Sequence, residues 1–320
     1  MAALVMMILL VSALIFGWLA TKVGLARVVG QLLAGIIVGP ALLGWVDDTH
    51  LIHTIAEAGV LLLMVNAGME TDTAQLKANF KAATATAVMG VVLPLIAFPI
   101  AAVCLGYTVS IAVFWGIVFA ATSISITIAV LGEQRKLGTQ MGAIVLGAAV
   151  LDDIMALLLV TGYAVVAGGN GLGLSTLLPI AAFVVGLLLR RWVYADKLLH
   201  GLERFGQWTV FPIFFGSIGL SVLLNNLGNT WLMMVILTLL AVATKYYGAG
   251  WGARLAGVDV LNSRAIGAGM VSRGEMALVI AQIGAGSGIL SETAFGEFII
   301  VIIASTIIAP LLMRPLVKRV

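Results

Sequence analysis

Two adjacent carboxylates, Asp152 and Asp153, stand in the middle of an apolar stretch, "AAVLDDIMALLLV", residues 148–160. A charged side chain at the centre of a membrane helix costs about 2.5–3.5 kcal/mol on insertion scales, and such residues mark ion or proton paths. Consecutive residues of an α-helix point about 100° apart, so the two carboxylates must serve different partners. The pair therefore predicts the binding of a cation, a proton or both.

A lysine, Lys245, lies deep in another apolar stretch, between the small residues Ala241, Gly248 and Ala249. It is the natural counter-ion for one of the two aspartates, and the other aspartate is then left to bind a cation or a proton. A purely structural role would not explain why three such residues are kept in the membrane.

Three further charged residues fall in apolar stretches: Glu57, Arg273 and Glu275. Arg273 and Glu275 are two positions apart and do not face each other on a helix, so each needs another partner or a gap in the helix. A structural ion pair is the alternative interpretation for both. Glu57 lies near the end of its stretch, where it is either a supporting residue or simply a solvated one.

The composition predicts that these charged residues lie in membrane-spanning helices. Of the 320 residues, 62% are hydrophobic and 10% are charged, against about 25% charged residues in soluble domains. The chain is thus predicted to be one all-α, multi-pass membrane domain over residues 1–320, and a net charge of +3 does not suggest nucleic-acid binding. Windows of about 20 apolar residues predict eleven spans: 3–20, 25–45, 52–69, 82–105, 109–131, 140–167, 173–192, 208–226, 231–252, 264–287 and 295–314.

The basic residues predict the topology of these spans. Fifteen of the 17 fall in alternate connections or after the last span, and the opposite connections carry none. By the positive-inside rule the N-terminus is outside and the C-terminus is cytoplasmic. The first span has no basic residue before its apolar core, so we expect a retained helix and not a signal peptide. The fifteen residues are Lys22, Arg27, Lys77, Lys81, Arg135, Lys136, Arg190, Arg191, Lys197, Arg204, Arg254, Arg264, Arg314, Lys318 and Arg319.

Two spans contain segments that weaken a helix. "ATSISIT", residues 121–127, alternates hydroxyl residues, among them Thr122, Ser123 and Thr127, with β-branched ones, and both kinds disfavour helix. "GAGMVSRGEM", residues 267–276, contains three glycines. The two spans run in opposite directions, and each neighbours a span with a buried charge. Paired broken helices in inverted repeats around a midplane site are typical of secondary transporters.

These residues belong to seven stretches of sequence that follow one another along the chain. They are "VGQLLAGIIVGPALLG" (29–44), "AEAGVLLLMVNAGMETD" (56–72), "ATSISITIAVL" (121–131), "AAVLDDI" (148–154), "PIFFGSIGL" (212–220), "ATKYYGAGWGARL" (243–255) and "GMVSRGEMALVIA" (269–281). In this order the chain resembles the monovalent cation–proton antiporters, in the branch of bacterial sodium/proton exchangers and potassium-efflux antiporters. The resemblance covers nearly the whole chain.

The resemblance implies a role for each matching residue. Asp153 would carry the transported ion, Asp152 would pair with Lys245, and Thr122 and Ser123 would lie in the first break, near the cation. Thr127, Arg273, Glu275 and Glu57 would support the site. A double aspartate implies electrogenic exchange of a monovalent cation for protons. Na⁺ is the expected cation, with K⁺ and Li⁺ as alternatives that the sequence does not distinguish.

The resemblance also implies an architecture. It predicts an inverted-repeat fold with two crossed discontinuous helices, a homodimer, and elevator-type movement in a prokaryotic cell membrane, without a cofactor. The ion-translocating core would comprise spans 82–167 and 231–314, and the scaffold, which forms the dimer, spans 3–69 and 173–226. One departure stands out, because relatives carry two more spans where this chain has only "AGGNGLGLS" after the aspartate helix.

Two other classes of function are disfavoured. An intramembrane aspartyl protease needs two carboxylates that share a proton across a gap, whereas these are adjacent on one helix. A passive cation channel would line its pore with carbonyls or acids, and a buried lysine opposes cation flow.

Overall fold

The computed structural model describes residues 2–47, 49–70, 79–166, 174–222 and 230–320, without the side chains of residues 2, 124, 125 and 174–177. Lys77 and residues 167–173 of the short connection, both used in the sequence predictions, lie outside this range. The described chain is helical and contains no strand, so the predicted all-α class is confirmed. Its helices are α1 Ala2–Lys22, α2 Arg27–Val38, α3 His50–Glu70, α4 Phe80–Cys104, α5 Val109–Ala120, α6 Ile124–Glu133, α7 Gln140–Val166, α8 Leu174–Leu189, α9 Ala195–Trp208, α10 Val210–Leu220, α11 Trp231–Leu255, α12 Val260–Gly269, α13 Glu275–Gly286 and α14 Glu292–Val317.

Six of the described helices are long and apolar enough to cross a membrane, by length and composition. They are α1, α3, α4, α7, α11 and α14. Two predicted spans, 109–131 and 264–287, consist instead of two short helices each, α5 with α6 and α12 with α13. The chain is thus a multi-pass membrane protein, while the count of eleven spans stays a prediction.

Helix α2 is shorter than its predicted span, 25–45, because it ends at Val38. Gly39 is extended, with φ −79° and ψ −175°, and Pro40 follows. A residue that precedes proline is pushed out of the helical region, and proline itself has no N–H to donate. The predicted span was longer because apolar residues follow the end of the helix, and hydropathy does not detect where the helix stops.

Helix α9 was missing from the sequence predictions. Its sequence, ADKLLHGLERFGQW, alternates apolar and charged positions with a helical period. A search for long apolar windows overlooks such a segment, since a quarter or more of its residues are charged or polar.

The described chain divides into two compact units. The first, Met1–Thr71, Leu172–Asn229 and Ser291–Gly296, is held together by glycines at helix crossings. A Cβ on Gly219 of α10 would collide with the backbone of Leu32 and Gly35 in α2, and one on Gly68 of α3 with the backbone of Phe183 in α8. Small residues let membrane helices approach backbone to backbone, so the helices of this unit pack closely at these crossings.

The second unit comprises Asp72–Gly171, Thr230–Leu290 and Glu297–Val320. Its long helices α4 and α11 cross closely, because a Cβ on Gly248 would lie 2.6 Å from the Met89 carbonyl oxygen. A Cβ on Gly90 would lie 3.6 Å from the Lys245 Nζ atom. Glycines on both helices therefore let α11 carry Lys245 against α4.

Polar contacts at the helix ends join connections that the charge pattern places on one side. In the second unit, Arg314 lies 3.3 Å from a Glu133 carboxylate oxygen, at two ends predicted to be cytoplasmic. At the opposite ends, the Ser110 and Tyr163 hydroxyl oxygens are 2.9 Å apart. In the first unit, Arg27 donates to the Gln207 side chain over 3.3 Å.

Candidate ion-translocation site

A buried ion pair joins α7 to α11. The Lys245 Nζ atom donates to the Asp152 Oδ2 atom, and both side chains are 0% exposed. Helix α7 runs through the aspartates without proline and with small residues at Ala148, Ala149 and Ala156 buried around them. The small side chains leave room for the lysine to reach the carboxylate. Asp152 is therefore the aspartate that pairs with the lysine.

Thr122 adds a second donor to the same carboxylate oxygen. Its hydroxyl donates to the Asp152 Oδ2 atom over 2.6 Å. The other oxygen, Oδ1, is buried and accepts no hydrogen bond from the described residues. Because a buried carboxyl group needs polar partners, Lys245 and Thr122 together supply hydrogen bonds to the Oδ2 atom of Asp152.

Asp153 is more accessible than Asp152. It follows Asp152 on α7 and therefore points to another sector of the helix, where its side chain is partly exposed. Its carboxylate still interacts electrostatically with Lys245. Lys245 thus interacts electrostatically with both carboxylates, although it donates a hydrogen bond only to Asp152 in the described contacts. A change of charge at Asp153 therefore changes the strength of the Asp152–Lys245 ion pair.

The first helix break lies beside this pair. Helix α5 ends at Ala120, Ala121 and Ser123 are extended, and α6 begins at Ile124. The second break separates Gly269, where α12 ends, from Glu275, where α13 begins. Both interruptions fall within the stretches 121–127 and 267–276 singled out from the sequence. Their backbone groups need partners at this depth, since unwound backbone in a membrane is tolerated only beside protein or a cavity.

The two breaks supply partners for each other. The Ser123 N–H donates to the Ser272 carbonyl oxygen over 2.8 Å, and the Ser272 hydroxyl donates to the Ser123 carbonyl oxygen over 2.8 Å. Thr127 donates to the Gly269 carbonyl oxygen, at the end of α12, over 2.6 Å. The breaks therefore form one hydrogen-bonded joint. The crossing of the two interrupted spans as inverted repeats stays a prediction.

Arg273 uses carbonyl groups in place of a carboxylate. Its guanidinium is fully buried and donates to the Phe119 and Ala121 carbonyl oxygens and, over 2.8 Å, to that of Ala241. Phe119 and Ala121 flank the C-terminal end of α5, where the helix dipole is negative and a cation is favourable. The gap in the helix, left open as one possibility by the sequence, is thus how Arg273 is accommodated.

Glu275 occupies the opposite kind of helix end. It is the first residue of α13, where the dipole is positive and a carboxylate is favourable. The Ser123 hydroxyl donates to its Oε2 atom over 3.2 Å. Arg273 and Glu275 therefore serve different partners across the joint and do not form a pair with each other in the described contacts.

Glu57 is the remaining charged residue that the sequence singled out. It belongs to the first unit, its side chain is 70% exposed, and its Oε1 atom lies 3.8 Å from the His53 Nδ1 atom. This placement matches the solvated alternative. The structure thus gathers Asp152, Lys245 and Thr122 in one cluster of the second unit and Ser123, Thr127, Arg273 and Glu275 in the adjoining joint, and it assigns Glu57 to the first unit.

Three buried polar residues of the second unit were overlooked in the sequence. Ser272 connects the breaks, Thr306 of α14 donates to the Arg273 carbonyl oxygen, and Glu297 is a buried carboxylate near the start of α14. Glu297 could have been found, because it lies inside the predicted span 295–314. The two hydroxyl residues carry no such signal, since serine and threonine are common in membrane helices.

Comparison with known proteins identifies the family. The family model described as "Sodium/hydrogen exchanger, transmembrane" matches residues 10–180 and 159–319. The chain belongs to this family. It is 31% identical to the Na(+)/H(+)-K(+) antiporter GerN of Bacillus cereus, with 96% of this chain and 94% of that protein aligned. It is 30% identical to a Na(+)/H(+) antiporter of Enterococcus hirae, with 99% and 98% aligned.

A solved structure supports the fold assignment for this family member. The sodium proton antiporter MjNhaP1 from Methanocaldococcus jannaschii superposes with a TM-score of 0.65 over 100% of this chain and 98% of that one, at 15% sequence identity. Because the family model and the relatives are named as exchangers and antiporters, the protein is a secondary transporter and not an enzyme, as the sequence predicted.

The relatives are longer than this exchanger. The alignment to the Enterococcus hirae protein has 375 positions, so at least 55 of them have no counterpart among the 320 residues of this chain. The two matches to the family model overlap over residues 159–180, around the short connection noted in the sequence. Since a spanning helix needs about 20 residues, the missing length suffices for two spans.

Proposed function

We propose that the protein exchanges Na⁺ for protons across a prokaryotic cell membrane. The observation that carries the proposal is the buried Asp152–Lys245 pair beside the partly exposed Asp153, next to two broken helices that bond to each other. A cation and a proton would compete for Asp153. Thr122 and Ser123, at the first break, would offer hydroxyl or carbonyl oxygens to the cation.

The proposed cycle carries net charge. When a cation binds near Asp153, its charge weakens the attraction of Asp152 for Lys245, and the lysine releases a proton. Together with the proton that Asp153 gives up when the cation binds, two protons then move against one cation. Access would alternate by an elevator-type movement, in which the second unit is the ion-translocating core and the first unit is the scaffold of a homodimer.

Exchange of K⁺ for protons is the second candidate. The relative GerN is named a Na(+)/H(+)-K(+) antiporter, and the oxygen ligands for the two cations are of the same type. A passive cation channel is a weaker alternative, since Lys245 opposes cation flow at the site. Dependence of cation flux on a proton gradient separates an antiporter from a channel.

A cation series in proteoliposomes tests the proposal. A pH-sensitive dye reports the collapse of an imposed proton gradient after Na⁺, K⁺ or Li⁺ is added in turn. We expect the largest response to Na⁺ and none to choline, which is too large for a site made of hydroxyl and carboxylate oxygens. A response to K⁺ alone would replace the sodium assignment, and cation flux without proton movement would support a channel.

Reporter fusions test the proposed orientation. We expect a cytoplasmic reporter to be active after Val320 and inactive in the 105–108 connection, because the basic connections should face the cytoplasm. A fusion after Lys136 provides a matched cytoplasmic position within the same unit. An extracellular C-terminus would require a different arrangement of every span.

A further inference from the structure

A buried threonine of α4 has a hydroxyl group without a hydrogen-bond partner. The side chain of Thr86 is 0% exposed, and its Oγ1 atom forms no hydrogen bond within the described chain. Other threonines in these helices donate to the carbonyl oxygen four residues earlier, as Thr161, Thr238 and Thr244 do over 2.7 Å. Because buried polar groups are nearly always hydrogen-bonded, the free hydroxyl of Thr86 is unusual at this depth.

Thr86 lies on the face of α4 that meets α11. A Cβ on Gly252 of α11 would lie only 2.8 Å from the Thr86 Cα atom, so the two helices touch at this level. Gly90 follows Thr86 by four residues and shares its face of α4, about 6 Å further along the helix. A Cβ on Gly90 would lie 3.6 Å from the Lys245 Nζ atom. The Lys245 ammonium group and the Thr86 hydroxyl therefore lie along one helix face, about one turn apart.

A second buried cation limits where the Lys245 side chain can move. The Arg273 guanidinium donates to the Ala241 carbonyl oxygen over 2.8 Å, and Ala241 precedes Lys245 by about one turn of α11. Gly252, which packs against Thr86, follows Lys245 by about two turns. Arg273 and Thr86 thus contact α11 on opposite sides of Lys245 along the helix axis. Because like charges repel, an ammonium group that leaves its ion pair moves more favourably toward Thr86.

A hydroxyl group suits a lysine in both of its protonation states. Its oxygen accepts a hydrogen bond from an ammonium group, and its O–H donates to the lone pair of a neutral amine. The flexible four-carbon side chain of lysine lets its head group move by about one helical turn. Thr86 can therefore hold Lys245 after the bond to Asp152 breaks, whether or not the lysine has released its proton.

We propose that Thr86 is a positioning residue of the exchange cycle, which binds the Lys245 side chain when an entering cation weakens the ion pair with Asp152. The inference rests on the antiporter function proposed above and adds a residue to it. While the ion pair is formed, the Thr86 hydroxyl contributes no hydrogen bond. Once the cation is bound, it contributes one, so Thr86 stabilises the cation-bound protein selectively.

The test compares Thr86→Val with Thr84→Val, because valine keeps the shape of threonine without its hydroxyl. Thr84 also has a hydroxyl without a partner in the described part of α4, but it lies about 200° from Thr86 around the helix. For Thr86→Val in proteoliposomes we expect the half-maximal Na⁺ concentration for exchange to rise about tenfold, the effect of losing one hydrogen bond to a charged group. Thr84→Val should match the unaltered protein.

Thermal melting separates this positioning role from a purely structural one. Without Na⁺, Thr86→Val should melt at the temperature of the unaltered protein, because no hydrogen bond is lost while the ion pair is formed. Bound Na⁺ raises the melting temperature by mass action, and the same rise should need about tenfold more Na⁺ in this variant. Thr86→Ser restores a hydroxyl and should restore both Na⁺ dependences. Thr86→Ala decides the question if the valine variant does not fold.

A Na⁺ dependence of Thr86→Val that equals that of Thr84→Val would overturn the proposal, whatever the melting temperature without Na⁺. The antiporter function would still stand in that case, because the unaltered protein would still exchange Na⁺ for protons. Absence of Na⁺-driven proton movement in the unaltered protein would instead overturn the sodium–proton exchange on which the inference rests.

Discussion

Asp153→Asn is expected to reduce exchange to the level of protein-free vesicles while the protein folds and inserts normally. The amide keeps the size of the side chain but can neither neutralise a cation nor release a proton. Asp153 is partly exposed, whereas Asp152 is sealed against Lys245 and Thr122. The measurement is cation-driven collapse of a proton gradient with purified protein, together with the melting temperature.

Asp47→Asn is the matched control for this variant, because Asp47 is exposed in the connection after α2. The control should transport like the unaltered protein. If purified Asp153→Asn sustained substantial exchange, the ion would have to be carried by another residue, and Asp152 would become the first candidate.

Disruption of the Asp152–Lys245 pair should have the largest effect on stability. Removing one partner of a buried ion pair leaves an uncompensated charge and costs about 3–5 kcal/mol. We therefore expect Lys245→Ala and Asp152→Ala each to lower the melting temperature strongly. The double variant should be less destabilised than the sum of the two, since residues in direct contact are not additive.

Lys197→Ala is the control for the loss of a lysine, because Lys197 is exposed on α9. A surface substitution of this kind changes stability by about 0.5 kcal/mol or less. Losses that simply add in the double variant would show that the two side chains do not depend on each other energetically.

The same pair determines how exchange responds to voltage. If Lys245 releases a proton when the cation enters, the cycle moves net charge, and each elementary charge is worth about 2.3 kcal/mol per 100 mV. Exchange measured at two clamped potentials should differ in rate. A neutral residue at position 245 should weaken that difference in any activity that survives. Transport indifferent to potential would remove the electrogenic part of the proposal.

Much of the long-helix architecture could be predicted from the sequence. The apolar run that contains the aspartates predicted a span over 140–167, and α7 covers Gln140–Val166. Proline and charge are absent from most of this run, so hydropathy alone finds its limits. The break near Thr122 was expected as a region, but its edges were not, because the residues on both sides are equally apolar and only tertiary hydrogen bonds decide where the helix stops.

The pairing of Asp152 with Lys245 was implied by the family resemblance, and the two side chains are in direct contact in the structure. Spacing alone left open which aspartate would face the lysine, because the rotation of α7 about its axis depends on packing against other helices. The carbonyl partners of Arg273 could not be read from the sequence at all. Every residue has a backbone carbonyl, so the amino-acid types do not indicate which carbonyls accept hydrogen bonds from Arg273.

The joint between the two helix breaks limits which substitutions are tolerated at its positions. Most of its acceptors are backbone carbonyls, at Phe119, Ala121, Ala241 and Gly269 among others, and a substitution at such a position keeps the acceptor. The groups that depend on side-chain identity are the Arg273 guanidinium, the hydroxyls of Ser123, Thr127 and Ser272, and the Glu275 carboxylate. Any side chain that fits the packing at the accepting positions therefore preserves these hydrogen bonds, so the joint constrains the sequence mainly through its side-chain donors and Glu275.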